Sequence, residues 1–431
     1  GASHEPFNSL SSAKLAKHSR SISACLEFDL DLRCWLMSTS VVIDFSPLDT
    51  PTQRRGIGRY LRSLALGLSR LDPNASKDIR PIGLLGLSGI GVPIISEDFH
   101  CIATHAWKRA PTQFDRYRWA YTRRLALWKA MQKLNARLVH LGDPNATPLA
   151  MSFAQCKRVA TCHDLIPLQF PKQYLGVRDG FGVIGKRLIK RRFHSADHVV
   201  AISNATRQQL IKLLDIPHDR ISLVYNGVDL STFSPHDPGD DQRRLARFAL
   251  TPRKYLLYAG DLDWRKNTEG MIKSLAFAHR LGSDLILAFV GDLDASKIEE
   301  LKRLASYHGV DNRIRRLGFV SDTDLRALYR QALAHLLLSR FEGFGYTVIE
   351  AMASGCPVIT TRGGSLEEIA GNAAIVQSPD DTEAIGQAIH SLHVDPARRE
   401  SLISAGLDWA PRFSCEIHAS HMLDVFRSVL A

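Results

Sequence analysis

Short apolar, β-branched runs alternate with helical stretches along most of the chain. In the first half these runs are Val41–Phe45, Leu138–Leu141, Arg158–Cys162, His198–Ile202 and Ile221–Tyr225. The rhythm then repeats at Tyr255–Ala259, Asp284–Val290, Arg315–Phe319, Ala334–Leu338 and Pro357–Thr361. Apolar runs bounded by turn residues, with helices between them, read as parallel strands of βα units. Two such series predict an α/β protein of two doubly wound, Rossmann-like domains. The first is expected over 37–228 and the second over 252–405. A Pro/Asp/Gly-rich linker over 229–251 joins them, and 406–431 closes the chain as a helical segment able to cross back to the first domain. Residues 1–36 are Ser-rich, lack the apolar core of a signal peptide and stop just before Met37, so they read as a leader or cloning remnant, with a native arm as the alternative. Ligands of open α/β sheets sit at the carboxyl ends of the strands. Two facing sheets therefore predict a cleft lined by the loops that follow them.

Composition narrows the class without choosing a function. Of 431 residues, 45% are hydrophobic and 23% charged, which excludes collagen-like, disulfide-scaffold and largely disordered chains. The net charge of +11 is uneven: residues 1–228 hold 32 Lys/Arg against 17 Asp/Glu, and the remainder 23 against 27. A basic half attracts something anionic, whether nucleic acid, lipid headgroups or a phosphorylated substrate. Seven cysteines, an odd number without a CxxC pair, signal neither a zinc site nor a disulfide framework, and a reducing, cytoplasmic setting is the simpler expectation. The longest apolar stretch, Ile82–Ile95, is broken by glycines and Pro93 and is too short to span a bilayer.

The densest chemistry lies in Arg340–Gly364. Glu342 and Glu350 are separated by seven residues, and Gly343-Phe344-Gly345 between them leads into a helical stretch. Glycine lets a backbone approach a ligand closely, and a helix N-terminus offers free N–H groups to a phosphate. A strand, a glycine turn and a helix start make an anion cradle, with two carboxylates placed to accept hydrogen bonds from sugar hydroxyls. Gly355-Cys356-Pro357 marks a tight turn or a cis bond just beyond.

This segment resembles the E-x7-E signature of the retaining glycosyltransferases of family 4, and other segments continue the resemblance in order. They are Gly56-Ile57-Gly58-Arg59-Tyr60, Thr161-Cys162-His163-Asp164-Leu165, Ala201-Ile202-Ser203-Asn204, Tyr225-Asn226-Gly227-Val228-Asp229, Tyr258-Ala259-Gly260, Arg265-Lys266-Asn267, and Gly363-Gly364 with Glu367. The resemblance covers Val41 to about Phe413 and implies the two-domain GT-B fold. It implies that Lys266, with help from Arg265, neutralises the pyrophosphate of a nucleotide sugar. Glu342 would bind hydroxyls of the transferred sugar, with backbone donors from Gly343, Phe344 and Gly345, and Glu350 the ribose. Gly56 and Gly58 would close over the phosphates, and His163 would stand near the reacting carbon, making His163, Glu342 and Lys266 the expected catalytic set. Asp164 is open between binding acceptor and capping a turn. One position departs: Asp261 stands where the family often has an arginine. No cofactor and no metal are expected. The resemblance also implies a front-face route in which the departing phosphate takes the acceptor's proton, since no motif carboxylate is an evident nucleophile beneath the anomeric carbon.

Other readings compete. Asp261-Leu262-Asp263 and Asp292-Leu293-Asp294 fit the DxD string of metal-dependent transferases, but the two βα series argue for GT-B. Arg116, Arg118, Trp119, Tyr121, Arg123, Arg124 and Trp128 interleave basic and aromatic residues as a nucleic-acid platform can, although the spacing suits a helix with a core face and a basic face better. Lys186–Phe193 is basic and amphipathic, either a solvated helix or a dock for anionic lipid headgroups. With the basic first half, Lys190, Arg191 and Arg192 make a lipid-linked, pyrophosphate-bearing acceptor plausible, as in bacterial polysaccharide or lipopolysaccharide assembly. His163–Leu168 looks like the branch containing O-antigen mannosyltransferases, favouring GDP-mannose over a UDP-hexose and a soluble acceptor. The expected partners are thus a nucleotide sugar and a glycan or lipid-linked acceptor, with peripheral membrane contact and no nucleic acid.

Overall fold

A computed structural model describes residues 38–49, 53, 56–72, 75, 77–86, 101–104, 127–143, 156–174 and 181–431. The leader and the basic-aromatic run up to Arg124 lie outside these residues.

Two parallel sheets carry the fold. The first joins β1 (Thr39–Asp44), β2 (Ile79–Gly86), β3 (Cys101–Thr104), β4 (Leu138–Leu141), β5 (Lys157–Cys162), β6 (His198–Ala201) and β7 (Ile221–Leu223) in the order β3-β2-β1-β4-β5-β6-β7. The second joins β8 (Tyr255–Ala259), β9 (Ile286–Val290), β10 (Ile314–Gly318), β11 (Ala334–Leu337), β12 (Val358–Thr361) and β13 (Ile375–Gln377) in the order β10-β9-β8-β11-β12-β13. Each order reverses direction beside its first strand, the switch point at which such sheets bind ligands. Val41, Val42 and Ile43 in β1, and every residue of β8, are buried, because helices cover both faces of a parallel sheet. β10 pairs on one side only, and its Arg315 and Arg316 blunt that edge.

Helices α1 (Gly56–Arg70), α2 (Phe181–His194), α3 (Asn204–Leu214), α4 (Asp241–Arg247), α5 (Asp322–Gln331), α6 (Tyr346–Ala353) and α7 (Cys415–Leu430) frame the cleft. The segment expected as a linker is not an open tether. It folds α4, and Phe233, Leu245 and Leu250 enter the core of the second domain. There Asp241, fully buried, pairs with Arg330 of α5 at 2.5 Å. The last helix, α7, packs on the first domain: Met422, Leu423, Val425 and Phe426 share a core with Val41, Ile43, Leu61 and Leu64. Gly67 of α1 permits this close approach, since a Cβ there would collide with the Cys415 carbonyl. Gly355-Cys356-Pro357 forms a turn with Gly355 at φ +72°, through trans peptides. No helix among the described residues is long and apolar enough to cross a membrane.

Candidate active site

The loops after β1, β5, β8, β11 and β12 converge where the two sheets face each other. From the second domain, β11 runs into Ser339–Gly345 and then α6. Glu342 is 7% exposed, and its Oε1 accepts from Lys266 Nζ at 2.5 Å and Ser339 Oγ at 2.7 Å. Its Oε2 accepts from Arg265 Nη1 at 2.6 Å. Burial alone would push this carboxyl up; the Lys266 and Arg265 cations outweigh it and hold it down to about 2. Burial pushes Lys266 below the usual lysine value, against the pull of Glu342. One carboxylate thus holds two cations at the carboxyl end of β8. Beside it, the backbone N–H groups of Gly343, Phe344 and Gly345 have no acceptor among the described residues. Gly345 sits at φ +103°, the left-handed backbone that starts α6. Phe344 contributes only its backbone here, since its ring is buried against Tyr346 and Phe413.

Glu350 lies one helical face further along α6 and is 1% exposed. Its Oε1 pairs with Arg59 of α1, across the cleft, while its Oε2 has no partner among the described residues. Gly56 and Gly58, expected in a loop, form the first turn of α1; Gly56 rests against the Tyr346 ring and Gly58 packs where a Cβ would strike the Gln53 carbonyl, so this turn abuts the start of α6.

His163 and Gly343 meet across the same cleft: a Cβ on Gly343 would collide with the His163 carbonyl oxygen. The His163 ring donates Nε2–H to the Gly142 carbonyl at 2.7 Å and stands edge-on to Tyr60, centroids 4.9 Å apart. Burial pushes His163 below the ordinary histidine value, partly offset by the Gly142 carbonyl and by Asp143 and Asp164. Tyr60 in turn bonds His140 and Thr161 and touches His418. Burial drives both His140 and His418 down to about 3. Asp164 is exposed and caps the next turn, its Oδ1 accepting from Ile166 N–H at 3.1 Å. Lys190 pairs with Asp215 at 2.6 Å on α2, where Lys186, Arg187 and Arg191 are exposed. The structure thus brings Gly56, Gly58, His163, Asp164, Arg265, Lys266, Glu342–Gly345 and Glu350 to one cleft, with Lys190, Arg191 and Arg192 on the separate α2.

Three of the four aspartates in the acidic strings are otherwise engaged, and Asp292 is exposed. Asp261 pairs with Lys297 at 2.5 Å and accepts from Leu262 N–H. Asp263 caps the turn at Arg265 and accepts from Tyr174 Oη at 2.5 Å. Asp294 caps the helix Ala295–Tyr307.

Two family models match this chain: Glycosyltransferase Family 4 over residues 93–232 and Glycosyl transferases group 1 over 242–409. The second takes in the whole E-x7-E segment, and together the two span both domains. The chain belongs to these glycosyltransferases. The O-antigen chain mannosyltransferase B of Escherichia coli is 28% identical to it over 323 residues, 74% of this chain and 81% of that protein. The serotype-specific mannosyltransferase WbdA of Escherichia coli is 27% identical over 67% of this chain, which spans about a third (36%) of WbdA's length. Among solved structures, sucrose-phosphate synthase from Thermosynechococcus elongatus superposes with a TM-score of 0.72 at 20% identity, covering 91% of this chain and 99% of that one. The fold of this glycosyltransferase is GT-B.

Three cross-cleft features of the glycosyltransferase escaped the sequence reading. Arg59 follows the two loop glycines but gives no sign, alone, of a partner almost three hundred residues away. Glu368, next to the Glu367 that was singled out, reaches the first domain: it accepts from Asn204 N–H at 2.7 Å, at the start of α3, and from Tyr225 Oη at 2.8 Å. Glu367 itself is exposed and, among the described residues, pairs with Arg362 alone. Phe170, Trp264 and Phe341 form an aromatic wall beside Arg265, with Trp264 47% exposed.

Proposed function

We propose that this glycosyltransferase moves a hexose, mannose in first place, from a nucleoside diphosphate sugar to a hydroxyl of a glycan or lipid-linked acceptor. We place the reaction in cell-surface polysaccharide or lipopolysaccharide assembly, on the cytoplasmic side, with retention at the anomeric carbon and without a metal. The observation that carries the reading is the pair Arg265 and Lys266, held on one buried carboxylate beside three unpaired backbone N–H groups. Two cations and free N–H groups suit a diphosphate, and Glu342 between them suits a sugar hydroxyl. The mannose preference is supported by the two Escherichia coli relatives, whose names are mannosyltransferases.

In this reading the diphosphate lies on Lys266 and Arg265, the sugar on Glu342 and the ribose on Glu350. The bond between the anomeric carbon and the phosphate oxygen breaks, and its electron pair leaves with the diphosphate, which the cations stabilise. The acceptor hydroxyl attacks the same face and gives its proton to the departing phosphate. The engagement of the motif carboxylates supports this route over a double displacement: Glu342 and Glu350 are ion-paired and Asp164 caps a turn. His163, neutral and fixed on Gly142, lines the sugar side. The Lys297, Tyr174 and backbone partners of Asp261, Asp263 and Asp294 support independence from a metal. A panel of GDP-mannose, UDP-glucose and UDP-galactose, each with and without EDTA, tests the proposal, with product configuration read by NMR. GDP-mannose turnover with retention, unchanged by EDTA, is expected. An inverted product, or activity lost to EDTA and restored by manganese, would overturn the mechanism.

A further inference from the structure

The ion pair between Arg59 and Glu350 joins the two domains at the point where the donor is expected, and it blocks that point. Arg59 lies in the first turn of α1, directly after Gly56 and Gly58, and its guanidinium reaches the second domain. There it pairs with Glu350 of α6 and, at 3.3 Å, with Asp322 of α5, and it stands 5.8 Å from the Phe233 ring. The two carboxylates differ. Asp322 is well exposed, so its share of the pairing is screened by water and weak. Glu350 is buried with Oε2 unpartnered, and a buried acceptor left open is costly. A carboxylate with one oxygen covered and one open can receive the vicinal hydroxyls of a ribose, provided the guanidinium moves off.

We propose that Arg59 is a donor-binding residue held in reserve: it covers Glu350 in the free protein and turns to the diphosphate when the ribose takes Glu350. The proposal rests on the assignment of Glu350 to the ribose. A guanidinium cannot lose its charge, so once displaced it needs another anion nearby. The diphosphate supplies several negative charges, while Arg265 and Lys266 already share Glu342. Arg59 shares the first turn of α1 with Gly56, which rests against Tyr346 at the start of α6, the helix that follows the Glu342–Gly345 turn. The exchange of one anion for another makes nucleoside binding and diphosphate binding depend on Arg59 in opposite senses.

Calorimetric affinities of guanosine and GDP, and of uridine and UDP in parallel, test this on the whole chain. Arg59→Ala should weaken the diphosphate at least tenfold and tighten the matching nucleoside several-fold; an unchanged nucleoside affinity would show that Arg59 does not cover the ribose site. Arg59→Lys should fall between, and it serves if the alanine variant does not fold. Equal loss of nucleoside and diphosphate would make Arg59 merely structural and overturn the proposal, as would a diphosphate affinity that does not change. Glu350→Gln separates the two assignments. If it keeps full nucleoside affinity, the ribose reading fails whatever Arg59 does to the diphosphate.

Discussion

Glu342 is the residue on which the site balances. Removing its charge leaves the half-buried Lys266 and Arg265 without this partner, and breaking such a pair costs about 3–5 kcal/mol. Glu342→Gln keeps the shape, and it should lower the melting temperature, checked by calorimetry. Its folded value of about 2 lies below the ordinary carboxylate value of 4.5, so its contribution is present above about 4.5 and lost as pH falls toward 2. The buried histidines act at higher pH. His140 and His418 stay neutral in the fold down to about 3, whereas the unfolded chain takes up their protons below about 6.5. The unfolded state then binds more protons, so stability falls with acid below 6.5, by about 1.4 kcal/mol per pH unit for each histidine. His418→Phe should flatten that slope in urea titrations from pH 7 to pH 5; an unchanged slope would show that His418 is charged in the fold. Glu342, Lys266 and His163 were legible in the sequence because each stands in a local motif. Arg59 and Glu368 were not, because their meaning lies in a partner that only the fold supplies.

At the scale of elements, strands with uninterrupted apolar runs were readable and the broken ones were not. β2 carries Pro81, Gly83 and Gly86 and reads as a glycine-interrupted stretch. It is tolerated because Pro81 pairs with β1 on one side, whereas β3 pairs only from Gly83 onward. β3 and β13, each the last strand at one end of its sheet, were not read either. The alternating series still revealed the parallel sheets, since burial on both faces makes such strands continuously apolar. The final helix α7 matters more than its position suggests: it covers β1 of the first domain with Met422, Leu423 and Phe426. Phe426→Ala should cost about 3–5 kcal/mol, measured by denaturant unfolding. A loss under 1 kcal/mol would mean that the helix adds little to that core. Helix α2 presents Lys186, Arg187 and Arg191 to solvent. Neutralising Lys190, Arg191 and Arg192 together should raise the Michaelis constant for a phosphate-bearing acceptor and leave that for the donor unchanged; equal effects on both would remove the lipid-phosphate reading.

At the scale of the whole molecule, the two domains are tied across the cleft by Arg59 to Glu350, Glu368 to α3 and Tyr225, and Tyr174 to Asp263. All three ties place charged or polar groups where the substrates are expected, so the cleft is held by contacts that a ligand can exchange. In the proposed reading the charge division follows the same line, with the basic first half receiving the acceptor and the acidic second half the donor. Salt screens such long-range attraction over about 8 Å at physiological ionic strength. Raising salt should therefore raise the acceptor's Michaelis constant more than the donor's. In the proposed reading Glu342, between Lys266 and Arg265, holds the sugar rather than the nucleotide. The most direct measurement compares wild type and Glu342→Gln for GDP release from GDP-mannose with a glycan acceptor, alongside GDP affinity on the same samples. Release should be at least a hundredfold slower, with GDP affinity equal or tighter because two cations are freed for the diphosphate. Release at the wild-type rate, or GDP affinity lost in step with it, would rule out a sugar-binding role for Glu342.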